Sequence, residues 1–130
     1  MKMYTSNSSK YANNGIDAQD KIKRNFVERM RQNLKKLYYD QLGLLDWEQR
    51  AKSRIEGKIG ESYAKEIEKH IKLRNKRVLD VGCGWGEFIV SANMRGAEAV
   101  GIEPDKEQVE LCKTRLTLHG MKNIVTQKSN

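Results

Sequence analysis

Apolar residues in the first half of the chain recur at three- and four-residue steps. From Asp17 the row Ile22, Phe26, Met30, Leu34, Leu37 and Tyr38 predicts an amphipathic helix, with Gly43 as its C-terminal stop. Asp46 followed three residues later by Gln49 has the form of a capping box and opens a second helical region. There Trp47, Ala51, Ile55, Ile59, Tyr63, Ile67 and Ile71 recur at steps of four, a row expected to be core rather than the lining of a cofactor pocket. Gly57 and Gly60 interrupt it; the break is expected near Gly60, with a separate helix over about 61–73. Ahead of these helices, residues 1–16 are rich in Ser, Asn and Lys and are expected to be a mobile polar tail.

The pattern changes after residue 75. Val78, Leu79 and Val81 surround Asp80, and the run then breaks into Gly82, Gly84 and Gly86 before Phe88 and Ile89 resume helical spacing. This reads as a buried strand over about 77–82, a tight turn, and a helix over about 86–95 stopped by Gly96. A second apolar run, residues 97–102, ends in Glu103-Pro104-Asp105. Asp105 with Gln108 is a second capping-box pair, opening a helix that ends at Gly120, and residues 124–127 form a short third strand. Strand, helix, strand, helix, strand is the order of an open parallel sheet, so the chain divides into a tail (1–16), a helical region (17–75) and an α/β unit (76–130).

Length and charge narrow the function. At 130 residues the chain is about one domain long, and no apolar run approaches the roughly 20 residues of a membrane span. The first residues lack the apolar core of a signal peptide, and a cytoplasmic protein is expected. Cys83 and Cys112 are too few for a disulfide framework, and neither they nor His70 and His119 have metal-ligand spacing, so no metal site is expected. The net charge of +8 is uneven: 19 basic against 10 acidic residues up to Arg77, then 6 against 7 from Val78. A nucleic-acid surface on the basic helices is conceivable. Interleaving with acids at helical spacing favours a solvated face instead.

Ligands of open parallel sheets bind beyond the carboxyl ends of the strands, where the glycine turn and Glu103 both fall. Glu103 lies 21 residues past Gly82, the separation at which an acid closing the second strand reaches a ribose over the first turn. A dinucleotide fingerprint would need glycine where Glu87 stands, and an acid at the mouth of the helix repels a pyrophosphate. A phosphate-free adenosyl cofactor fits better. Asp80 suits a cationic one, and S-adenosylmethionine carries both an ammonium and a sulfonium. In the plainer reading the glycines make only a tight turn and Glu103 is a strand-end acid.

At VLDVGCGWGEF and VGIEPD the chain resembles the class I S-adenosylmethionine-dependent methyltransferases. The resemblance covers about residues 76–130 and implies a Rossmann-like sheet, here incomplete, with three strands in the order 3-2-1 after the N-terminal helices. It implies a cofactor site in which Asp80 and the backbone of Gly82, Cys83, Gly84 and Gly86 position the methionine part, Glu103 holds the ribose hydroxyls and Pro104 borders the adenine. The acid that family members carry near the end of strand three is replaced by Asn130. Members continue through four more strands, so the sequence reads as the N-terminal part of a longer enzyme, one that needs a missing C-terminal part or a partner chain. The edge of its first strand is then expected to be open.

The implied reaction is methyl transfer to an O, N or C nucleophile of a small molecule, lipid or sugar precursor. The alternatives are an RNA or protein methyltransferase docking through the basic helices, and a non-catalytic cofactor-binding fragment. No catalytic base is assignable: His70 reads as a surface residue, Tyr63 has no partner in the pattern, and Trp85 either covers the methionine end or packs on a helix.

Overall fold

The computed structural model describes residues 4–122 and 125–127, with side chains from residue 18 onward. Asn130 and Ile124, the first residue expected in strand three, lie outside the described residues. Helix α1 spans Tyr4–Leu34 and continues as a π-helical segment over Lys35–Gln41; then come α2 (Trp47–Ile55), α3 (Lys58–Glu68), β1 (Arg77–Val81), α4 (Glu87–Met94), β2 (Glu98–Glu103), α5 (Lys106–Leu118) and β3 (Val125–Gln127).

The sheet is three-stranded and parallel, in the order β1-β2-β3, as the Rossmann-like pattern requires. β1 and β2 run in register from Arg77 opposite Glu98 to Val81 opposite Ile102, which sets Asp80 beside Gly101. One face of the sheet, with Val78, Ala99 and Val125, packs under α4 and α5 against Ile89, Val90, Val109, Cys112 and Leu116. On the opposite face Leu79 is 56% exposed, Val81 71% and Val100 43%. The expected buried first strand is therefore covered on one side only, and it forms the edge of the sheet among the described residues.

Four details of the helical region differ from the sequence expectation. The backbone of α1 is helical from Tyr4, through the stretch read as a tail, because Ser, Asn and Lys cost a helix only tenths of a kcal/mol each once it is nucleated downstream. The break in the second helical region falls at Gly57, whose φ of 75° no helix interior accepts, and not near Gly60. Gly60 lies inside α3, buried against α4. The Asp46 carboxylate makes no cap; it accepts from Arg50 Nε at 3.0 Å instead, an opposite charge one turn away competing with the backbone.

The fourth difference concerns the row at steps of four. Trp47 and Ala51 are buried, but Ile59, Tyr63 and Ile71 are 42–57% exposed. The kink at Gly57 rotates α3, and its buried face is the small-residue pair Gly60 and Ala64. Arg95 at the end of α4 fixes that packing by gripping Glu61 at 2.7 and 2.8 Å and Glu68 at 2.9 Å. By contrast, Asp105 caps α5 as expected, accepting from the backbone N–H groups of Glu107 at 2.9 Å and Gln108 at 3.1 Å.

Candidate cofactor site

The turn after β1 is held by strand-end carbonyl and carboxylate groups. The N–H groups of Gly82 and Cys83 both donate to the Ile102 carbonyl, at 2.7 and 3.1 Å, and that of Gly86 donates to the Cys83 carbonyl at 3.0 Å. The Gly84 N–H donates to Glu103 Oε1 at 3.1 Å. Glu103 Oε2 accepts from the Asp105 N–H at 2.8 Å, so this buried carboxylate ties the glycine turn to the start of α5. Each of its oxygens keeps one further lone pair for a ligand hydroxyl.

What the turn offers a ligand is room rather than free N–H groups. Gly82 has a φ of 74°, and a Cβ there would meet no atom within 4 Å, so its side faces open space. Gly86 has a different reason to be glycine: a Cβ there would stand 2.5 Å from Cys112 Sγ. Cys83 is buried with its sulfur packed against Gly101, so it enters the site through its backbone alone. Its hydrogen bond with Cys112, and then burial, push the Cys112 thiol up, which keeps that sulfur protonated and inert. Pro104 is exposed, and its carbonyl accepts from Gln127 Nε2 at 3.4 Å, which joins β3 to the same edge.

Beside the turn lies a cavity of about 420 Å³ lined by residues from α2, α3, β1, α4 and the turn, among them Asp80, Gly82, Trp85, Arg54, Tyr63 and Glu87. Asp80 is half-buried, and burial raises its pKa above the ordinary aspartate value. It enters no ion pair among the described residues, so its charge is uncompensated. Arg54 is held by Glu87, with Nε to Oε1 at 3.0 Å, and by the Tyr38 hydroxyl at 3.1 Å, and it stacks 4.7 Å over the Trp85 ring. Trp85 Nε1 and Glu87 Oε2 are buried without partners.

Thus the structure brings Asp80 and Gly82 to one cavity and Gly84 to Glu103. Arg54, Glu87 and the exposed face of α3 were not legible as site residues, although Ile59 and Tyr63 were visible as an apolar row. Trp85 packs with Ile55 and the helices, the second of the two roles open to it, and also lines the cavity. His70 is an exposed surface residue.

Residues 72–130 match a family model described as a methyltransferase domain. The match covers the segment that carries the glycine turn and Glu103, and it agrees with the resemblance to the class I methyltransferases. The chain is 41% identical over 56 residues to a protein of Methanocaldococcus jannaschii named as a ribosomal RNA large subunit methyltransferase, covering 43% of this chain and 14% of that protein. It is similar to the ubiquinone biosynthesis O-methyltransferases of Neisseria meningitidis, 41% identical over 59 residues (45% of this chain, 25% of that one), and of Chromobacterium violaceum, 38% over 47 residues (36% and 20%). The chain therefore spans between 14% and 25% of the length of these relatives. No helix among the described residues is long and apolar enough to cross a membrane.

Proposed function

We propose that this chain is the cofactor-binding part of a cytoplasmic S-adenosylmethionine-dependent methyltransferase acting on a small molecule. The observation that carries the reading is Asp80, a half-buried, uncompensated carboxylate lining a cavity at the carboxyl edge of the sheet. Such a charge is costly unless a cation meets it, and the ammonium of the methionine part would do so. Arg54 and the unpartnered Trp85 Nε1 in the same cavity would receive the carboxylate of that zwitterion. Glu103, with a spare lone pair on each oxygen, would take the ribose hydroxyls; Pro104 would border the adenine. When bound, the cofactor supplies an electrophilic methyl on a sulfonium, which leaves as a neutral thioether. Asp80, Arg54 and Glu103 would position it, and positioning is most of what such a displacement needs.

A small acceptor is favoured over RNA by how the basic residues are used. Arg31, Arg50, Arg54, Lys58 and Lys69 each face an acid at 3.3 Å or less, so these five cations are paired within the chain. RNA binding with a steep salt dependence would reverse that preference.

Titration calorimetry with S-adenosylmethionine tests the reading, with Asp80→Asn as the decisive variant. Loss of a charge-assisted contact is expected to weaken binding by about tenfold or more. The same substitution is expected to raise the melting temperature of the ligand-free chain. A carboxyl whose folded pKa is raised stabilises most below its unfolded pKa, and this is lost as pH rises through the folded value; at neutral pH the charge is a net cost that asparagine removes. For the same reason wild-type affinity is expected to fall as pH drops through a value above 3.8, and the Asn variant to lack that step. No binding by the wild type, or equal binding by the variant, would sink the proposal.

A further inference from the structure

A second and larger cavity, of about 780 Å³, lies away from the sheet edge, between α1 and the outer side of the α4–α5 layer. Phe26, Val27, Ile55, Val90, Met94 and Leu118 supply its apolar surface, and polar and charged side chains make up the rest of its lining. Into this lining comes Arg115, only 4% exposed and in no ion pair among the described residues. Its Nη2 donates to the carbonyls of Arg54 and Ile55, at 3.1 and 3.4 Å, and its guanidinium carbon stands 5.5 Å from the Phe26 ring. Its Nε is buried with no partner.

A plain structural role accounts for part of this: Arg115 closes the C-terminal end of α2. A helix end supplies only about half a negative charge, however, and cannot satisfy Nε. Glu87 stands between two guanidinium groups: its Oε1 holds Arg54 at 3.0 Å, its Oε2 is buried without a partner, and its charge partly offsets that of Arg115. Glu61 holds Arg95 at 2.7 Å, and Glu56 holds Lys58 at 3.2 Å. Asp20 and Lys23 line the rim, both exposed, and offset one another. His119 is kept neutral by burial and by the charges of Arg115 and Lys23. With Arg54 and Arg115 sharing the one Glu87 carboxylate, the balance left over is one positive charge and a buried Arg115 Nε with no partner.

We propose that this cavity binds a small organic monocarboxylate with an apolar body, the carboxylate meeting Arg115 and the body lying against the wall formed by Phe26, Ile55 and Leu118. The volume is within the range of small-molecule sites, which combine apolar surface with a few convergent polar groups. Only Glu87 is shared with the cavity beside Asp80, so the two ligands would occupy separate sites, and this inference does not depend on the cofactor reading.

Octanoate is the probe, with 1-octanol as its neutral counterpart, both titrated calorimetrically into the full chain. Saturable one-to-one binding of octanoate is expected. Arg115→Met is expected to weaken it about tenfold or more, with little change for octanol, since the variant removes a charge-assisted donor and keeps apolar bulk. Should Arg115→Met fail to fold by circular dichroism, Met94→Trp serves instead. Met94 is 71% exposed at the cavity's edge, and the larger ring is expected to narrow the entrance and weaken both probes at an unchanged melting temperature. Absence of saturable octanoate binding overturns the proposal, as does equal octanoate affinity in a folded Arg115→Met or Met94→Trp protein.

Discussion

Gly60→Ala is expected to lower stability by about 2 kcal/mol or more, although the substitution improves intrinsic helix propensity by about 1 kcal/mol. A Cβ at Gly60 would overlap the carbonyl group of Glu87 and come within 2.7 Å of the Phe88 nitrogen. These are backbone atoms at the first turn of α4 and cannot swing aside as a side chain can. Either α3 moves outward or α4 shifts, and in both cases the wall carrying Ile59 and Tyr63 leaves the cavity beside Asp80. Urea unfolding reads the first effect and cofactor titration the second. A wild-type urea midpoint for the variant would mean that α3 is not seated on the backbone of α4. The Arg95 clamp on Glu61 and Glu68 cannot rescue the contact, because these partly exposed ion pairs are worth far less than a backbone overlap costs.

Glu103→Ala is expected to have the largest effect on the proposed cofactor site, weakening S-adenosylmethionine binding by about 100-fold or more. Two part-buried N–H groups, of Gly84 and Asp105, would lose a charged acceptor, at about 1 kcal/mol or more each, and the ribose would lose its partner. Glu103→Gln is expected to fall between. Its amide offers one acceptor oxygen where two donors wait, and turns an N–H toward another N–H. Since the substitution both loosens the turn and removes a ligand contact, an analogue lacking the ribose 2′-hydroxyl separates the two. If the carboxylate touches the sugar, Glu103→Ala costs less with the analogue than with the natural cofactor. Equal losses would assign Glu103 to bracing the turn alone.

The α/β unit was the more legible part of the chain because its signals are local. Glycines at alternate positions after an apolar run, an acid at Glu103 and a capping Asp105 act on their own neighbours in sequence, and the strand and helix boundaries follow within a residue or two. The helical region was less so. The row from Trp47 to Ile71 has helical spacing throughout, yet the kink at Gly57 turns its second half toward the cavity instead of the core. Gly57 and Gly60 are the same residue type three positions apart. One is a left-handed break and the other a contact surface, and that distinction depends on where the backbone of α4 lies.

The sequence by itself therefore determined the parallel sheet, the glycine turn and the acids placed around it, because each rests on periodicity and backbone preference over a few residues; the strand order was implied by the family resemblance. Only the tertiary structure decided that Glu103 bonds to the turn it follows by 19 residues, that Asp80 stays uncompensated, and that Arg54, Glu87 and Arg115 meet between helices. Charge compensation and close packing are relations between groups far apart in the chain, and no local pattern encodes which of the many possible pairs will be formed.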